Sequence, residues 1–362
     1  MGHGACASGD THSAKAGADI LKAGGNAVDA AVAAALVASV TMPTMTSLGG
    51  GGILTLRVDG RVIVCDCFST LPGMGLRKRG ERELDVVTVS FEGIEVDFRV
   101  RAPSIAVPGT VAGLWATHER YGRMPLAEVA APAVRAARDG YRVTEAQAKA
   151  FALLGEIYRM TPGAWALVSN GRETARAGER MLNLDIANTI EQLVAEGAQA
   201  FYSGAMADAI TTSAEGWLTR QDLAAYQPVF REPLTTRYRG WTLHASAMPS
   251  VTGGMLFAAL RSLEADAPLP SELDVAGWGR VVEAMHVMER VRTPEYEARL
   301  FEDGYLEAML AACPGGNTMH ISTADDDGNL VGYTTTVGES AGVVAAGTGV
   351  VLNNFLGEED IY

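Results

Sequence analysis

The residues best suited to chemistry lie in Gly315-Gly316-Asn317-Thr318-Met319-His320-Ile321-Ser322. A flexible Gly-Gly leads into a strand that opens on Asn-Thr. If that strand fixes the Thr318 hydroxyl against the Asn317 carbonyl, an N-to-O acyl shift can sever the chain there. Water then releases a threonine at a new N-terminus. Its freed α-amino group, with a pKa of about 7.7–8.0, can act as general base for its own hydroxyl. Nucleophile and base are thus one residue, and no histidine is required. Asn-Thr also opens many ordinary strands, so the spacing alone leaves a plain structural strand open.

Other chemistries find less support. The Gly49–Gly52 run could cradle a phosphate, but no Lys-Ser or Lys-Thr follows and a strand, not a helix, comes next. The same objection removes a dinucleotide fingerprint, and the residues fit a backbone that passes close to another backbone. A Gly-x-Ser-x-Gly elbow is absent. The six histidines are scattered without metal-ligand spacing, and His320 is expected to brace the site. Cys65 and Cys67 read as buried thiols, one on each face of a strand, and not as metal ligands. No metal and no cofactor is expected.

The elements that must position Thr318 can be read from caps and breakers. Ser13 can cap a helix that ends at Gly24-Gly25. Asn26 caps a second helix of small apolar residues from Ala27 to Val40, which Pro43 ends. A hairpin follows: Ile53–Val58, an Asp59-Gly60 turn, then Arg61–Asp66. From about Gly109 to Leu310 the pattern is mainly helical, with loops expected around Thr161–Gly171 and Ala245–Gly254. Strands then return at Thr318–Thr323 and Leu330–Thr336, flanking the turn Asp325–Asn329, and at Val350–Leu352. Strands near both ends with helices between them predict one mixed domain whose sheet is completed by distant segments.

A net charge of −14 argues against nucleic acid or an anionic membrane as partner. Residues Met1–Asp10 carry neither a basic n-region nor an apolar h-region, so a cytoplasmic protein is expected, or a periplasmic or secreted one if a leader was removed. Ala27–Met42 is too short to span a bilayer and carries Asp29.

Several stretches, in order, resemble the gamma-glutamyltranspeptidase family over nearly the whole chain. They are Gly24-Gly25-Asn26-Ala27-Val28-Asp29 with Gly49–Gly52, Ala106-Val107-Pro108-Gly109-Thr110, Asp222-Leu223-Ala224-Ala225-Tyr226, Arg231-Glu232-Pro233-Leu234 and Pro249-Ser250 with Gly253-Gly254. Thr318-x-His320-x-Ser322, Asp327-Gly328-Asn329 and Gly349-Val350-Val351-Leu352-Asn353-Asn354 complete the set. The resemblance implies an α+β, N-terminal-nucleophile hydrolase fold, a four-layer αββα sandwich. It implies one intertwined domain that self-cleaves between Asn317 and Thr318, giving a large-subunit region 1–317 and the start of a small subunit at 318–362. The new threonine would take a gamma-glutamyl or related acyl group as an ester, then pass it to water or an amino-acid acceptor. An acylase of the same chemistry on a non-glutamyl amide, or an inactive remnant, remains the alternative. Partners implied are a small amide substrate and the chain's own light-chain region, with self-association left open.

The same resemblance assigns Thr336 as the hydroxyl that braces the nucleophile. Glu358, Gly338 and Asn354 fall in the substrate-binding shell, Glu358 where the family has an aspartate holding the substrate α-amino group. Departures accompany these matches. The family's arginine clamp for the substrate α-carboxylate becomes Phe68 in Phe68-Ser69-Thr70-Leu71-Pro72, and a ring cannot make a bidentate charge-assisted contact. Gly338 replaces an asparagine in a loop shortened by two residues, and Phe355 takes a normally polar position. The chain ends about 45 residues into the small subunit, ahead of where the family's serine-rich loop and Gly-Gly oxyanion hole would fall, so a longer parent gene is expected.

Overall fold

The computed structural model describes residues 4–75, 83–91, 93–246, 250–265, 269, 273–291 and 319–357. They fall into two compact units, one of residues 1–60, 65–229 and 318–362, the other of 61–64 and 230–317.

The first unit is built on antiparallel strands drawn from both ends of the chain. They are β1 (Ala5–Ser8), β2 (Gly51–Val58), β3 (Arg61–Cys67, of which Cys65–Cys67 belongs to this unit), β6 (Met319–Ala324) and β7 (Leu330–Thr336). A separate hairpin pairs β4 (Asp85–Phe91) with β5 (Ile94–Val100). The sheet runs β1-β6-β7-β2, then β3. Its register sets Ser8 opposite Ile321, Met319 opposite Thr335, and Thr335 opposite Gly52.

Helix α1 spans Thr11–Lys22 and α2 spans Ala27–Thr41. The cap of α1 is Asp10, whose carboxylate accepts the Ser13 N–H at 3.0 Å, so Ser13 donates to the cap instead of serving as it. Every residue of α2 is buried. Alanine and valine on all sides leave no bulk to hold neighbours away, and α2 packs on α1, on α3 (Thr110–Tyr121), on α4 (Leu126–Asp139) and on the sheet.

The Asn26 cap does more than start α2. Its side chain accepts the Asp29 N–H at 3.0 Å, and the Asp29 carboxylate accepts the Asn26 N–H at 2.9 Å. Asp29 also accepts the N–H groups of Arg123 and Met124, and His118 Nε2 lies 3.3 Å away. Burial alone would raise this carboxyl, but the hydrogen bonds from His118, Asn26, Arg123 and Met124 hold it below its ordinary value. Asp29→Ala would orphan these buried donors. It should cost about 3 kcal/mol or more in urea unfolding; a loss under about 1 kcal/mol would contradict this role. The other end of α2's entry is fixed by the β6–β7 turn. There Asp325 Oδ2 accepts the Ala27 N–H at 3.0 Å and Thr323 Oγ1 donates to Ala27 O at 2.7 Å.

Two sequence expectations change here. Cys65 and Cys67 are both fully buried on the same face of β3, since residues two apart share a face, and their thiols contact each other beneath α3. The expected loop Thr161–Gly171 contains a helix, Pro162–Val168, capped by Thr161.

In the second unit, Leu234–Tyr238 and Trp241–Ala245 form a hairpin next to helices Val251–Ala265 and Val275–Val291. The hairpin interrupts the expected helical pattern, and the first helix starts inside the loop expected at Ala245–Gly254. β-Branched and aromatic residues around the Arg239-Gly240 turn supply the missed signal. Among the described residues no helix is long and apolar enough to cross a membrane, and no group of three acidic, histidine or cysteine side chains could hold a metal.

Candidate active site

Strand β7 carries Thr336 at its end and lies between β6 and β2. Opposite Thr336 in β2 is Gly51, and the last described pair with β6 is Met319–Thr335. Asn317, Thr318 and Glu358 lie outside the described residues, so the site is built from its neighbours.

The glycine run is a packing requirement. A β-carbon on Gly50 would fall 2.2 Å from Thr336 O, on Gly52 2.4 Å from Thr334 O, and on Gly49 2.1 Å from Val351 O. The backbone of β2 therefore approaches the Thr336 strand and the Val350–Leu352 segment more closely than any side chain allows. Gly50 O accepts the N–H groups of Gly109 (2.9 Å) and Thr110 (3.2 Å), which ties the Pro108-Gly109-Thr110 start of α3 to the same spot. Asn353 binds the arrangement together. Fully buried, it donates to Gly49 O at 2.9 Å and Ala106 O at 3.1 Å and accepts the Ala106 N–H at 2.9 Å. Three stretches far apart in sequence thus meet in one hydrogen-bond cluster.

The Thr336 hydroxyl accepts the Gly338 N–H at 2.9 Å. With an acceptor lone pair so occupied, its own proton is available to a neighbour. The loop beyond is tight: Gly338 (φ +64), Ser340 (φ +81) and Gly342 (φ +68) all adopt left-handed backbone. Serine at such an angle carries strain, which Ser340 Oγ offsets by accepting the Gly342 N–H at 3.0 Å. Between these residues, Glu339 donates its backbone N–H to Asn354 Oδ1 at 2.9 Å. Asn354 is buried, and its Nδ2 reaches Arg99 O at 3.4 Å. Its side chain is therefore engaged in holding the loop.

Phe68 and Phe355 stack with ring centroids 4.7 Å apart and planes at 27°. Phe68 leaves β3 directly beside Gly51, whose β-carbon would lie 3.0 Å from the Phe68 backbone. The Phe68–Met74 segment is pinned by the Asp222–Tyr226 stretch. Asp222 Oδ1 accepts the N–H groups of Gly73 (2.6 Å) and Met74 (2.7 Å), and the Tyr226 hydroxyl donates to Phe68 O. His320 hydrogen-bonds Thr334 Oγ1 (2.8 Å) and Ser322 Oγ (3.0 Å) across and along the sheet. Burial holds its imidazole below the ordinary value of 6.5, hence neutral at pH 7.

Residues 13–310 and 295–359 match the gamma-glutamyltranspeptidase family. The chain belongs to that family. The glutathione hydrolase proenzyme of Pseudomonas aeruginosa is 32% identical over 391 residues, covering 97% of this chain and 67% of the relative. The acylase ACY 1 proenzyme of Pseudomonas sp. (strain V22) is 31% identical, covering 94% and 67%. Among solved structures, a cephalosporin acylase from Bacillus halodurans superposes with a TM-score of 0.79 at 26% identity, over 98% of this chain and 69% of the other. The chain thus spans about two thirds of the length of these relatives. The fold is the α+β, N-terminal-nucleophile hydrolase fold of the family. Within that frame, three of the motifs read from the sequence, Gly49–Gly52, Ala106–Thr110 and Gly349–Asn354, meet around Gly50, Thr336 and Asn353. One feature had no sequence signal strong enough to find it: the Phe68–Phe355 stack.

Proposed function

We propose that this protein is an N-terminal-nucleophile amidohydrolase that cuts its own chain between Asn317 and Thr318 and then works through the freed Thr318. The observation that carries this reading is the register. Met319 pairs with Thr335, and Thr336, the hydroxyl left with a proton to give, is the next residue of β7 past that pair.

In the proposed cycle the Thr318 α-amino group takes the hydroxyl proton as Oγ attacks the amide carbon. The proton passes to the departing amine, and the acyl group stays on Thr318 as an ester. Water, or an amino-acid acceptor, then attacks the ester and restores the hydroxyl. Thr336 donates to Thr318 Oγ and orients it. Intact mass and N-terminal sequencing of the purified full-length protein should reveal a fragment that begins at Thr318. A protein that stays in one piece, or is cut elsewhere, would sink the assignment.

The acyl group is gamma-glutamyl or a related acyl chain. The Phe68–Phe355 stack favours the second reading, an acylase for chains without an α-carboxylate, because two stacked rings offer that anion no charge-assisted partner. The mature protein should hydrolyse glutaryl and butyryl anilides with kcat/KM values within about 5-fold of each other. A 100-fold preference for the glutaryl compound would restore a carboxylate clamp and count against the acylase reading.

A further inference from the structure

Phe68 leaves β3 under the hold of a residue that the proposed reaction does not use. Its own N–H donates to Asp66 Oδ1 at 3.2 Å, a bond between near neighbours that travels with the strand end. Its carbonyl is held from elsewhere in the fold, where the Tyr226 hydroxyl donates to Phe68 O. With the peptide groups on both sides of its α-carbon tied, the direction in which the ring departs is set. That direction is toward Phe355, at 4.7 Å between centroids. The anchored residue stands near the reaction centre. A β-carbon on Gly51 would lie 3.0 Å from the Phe68 backbone, and Gly51 pairs with Thr336. Phe68 is therefore about 10 Å from Thr336, two strand spacings away.

The surroundings of Tyr226 are built for that contact. It follows the short helix Arg220–Ala225 and is buried, with 6% exposed. A β-carbon on Gly109 would lie 2.1 Å from its hydroxyl oxygen and 2.2 Å from Phe68 O, so only a glycine there lets the two meet. Behind it the Tyr202 ring stacks nearly parallel, with centroids 5.6 Å apart and planes at 8°. Tyr202 in turn donates to Pro108 O at 3.0 Å and accepts the Ala112 N–H at 3.2 Å, which fixes the start of α3. Burial pushes the Tyr226 phenol far above its ordinary value of 10, so it stays a donor at any working pH. Phenylalanine would fill the same space; the hydroxyl is what reaches Phe68.

We infer that Tyr226, backed by Tyr202, is a positioning residue that sets Phe68 against Phe355 and thereby fixes an apolar wall for the substrate's acyl chain. The inference rests on the reading of the Phe68–Phe355 stack as part of the acyl site. Its substrate class is an amide whose apolar acyl chain is long enough to touch the two rings.

The test compares acetyl and butyryl anilides in the mature full-length protein. The wild type should favour the butyryl compound by about 10-fold or more in kcat/KM, mostly through KM, because two added methylenes reach the rings. In Tyr226→Phe the ring still stacks on Tyr202 but Phe68 loses its anchor. The preference should fall to about 3-fold or less, through KM for the butyryl compound, with its kcat changed by no more than about 2-fold. A merely structural role would slow both substrates alike and keep the ratio. Phe68→Ala should abolish the preference, and adding Tyr226→Phe to it should shift the ratio by no more than about 1.5-fold, since one residue acts through the other. If Tyr226→Phe fails to mature, Tyr202→Leu decides instead. It removes the backing ring, keeps the Tyr226 hydroxyl and should lower the preference at least about 2-fold. A preference that survives in Tyr226→Phe, or in Tyr202→Leu where that variant decides, overturns the inference, and so does an additive double variant. No butyryl preference in the wild type, or its survival in Phe68→Ala, fails the underlying reading of the stack instead, so the two failures are distinct.

Discussion

Replacing Thr318 with alanine should leave the full-length protein uncut and lower amide hydrolysis by about 10⁴-fold or more. The size of the effect follows from the double use of one residue. Alanine lacks the hydroxyl that attacks the Asn317 carbonyl, so no new N-terminus forms. Without that terminus there is neither nucleophile nor α-amino base. Thr318→Ser keeps the hydroxyl and should still be cut, more slowly, since the methyl group that restricts the threonine rotamer is gone. Intact mass over time, beside anilide hydrolysis, separates these outcomes. Uncut but active Thr318→Ala protein would show that the chemistry resides elsewhere.

The second large effect belongs to a residue without a side chain. Gly50→Ala should cost about 3 kcal/mol or more and prevent maturation, because the new β-carbon would meet the Thr336 carbonyl oxygen at 2.2 Å, backbone against backbone. Relief requires β2 to separate from β7, which also breaks the bonds from Gly109 and Thr110 to Gly50 O. Gly60→Ala is the informative comparison. Gly60 has φ +77 but open space around its β-carbon position, so it should cost only about 1 kcal/mol and leave cleavage intact. Equal effects at the two positions in thermal or urea unfolding would mean that the close approach at Gly50 is not what the glycine is for.

Much of the frame was legible from local signals. Asn26 and Asp29 form a capping box, Asp59-Gly60 turns the β2–β3 hairpin with both residues at positive φ, and Asp325–Asn329 closes β6 onto β7. Such features depend on residues three or four apart, so sequence exposes them. The Gly49–Gly52 run told of a close backbone approach, though not of what approaches. At α1 the sequence reading put the cap at Ser13, whereas the structure puts it at Asp10, three residues earlier. The hairpin β4–β5 and the strands at 234–245 were passed over although Val87–Phe91, Ile94–Val100 and Trp241–Ala245 alternate apolar and polar residues as half-buried strands do.

The sequence by itself pointed to Thr318 as the proposed reacting hydroxyl and, through the family resemblance, to Thr336 as its brace, and to phenylalanine in place of the usual arginine and of a usual polar residue. Only the tertiary structure decided that these two rings stack on each other and that Asn353 fastens Gly49 to Ala106. The physical reason is the range of the interactions. A cap, a turn or a cleavage junction is set by neighbours along the chain, whereas a pocket is made by residues that the fold brings together from its two ends.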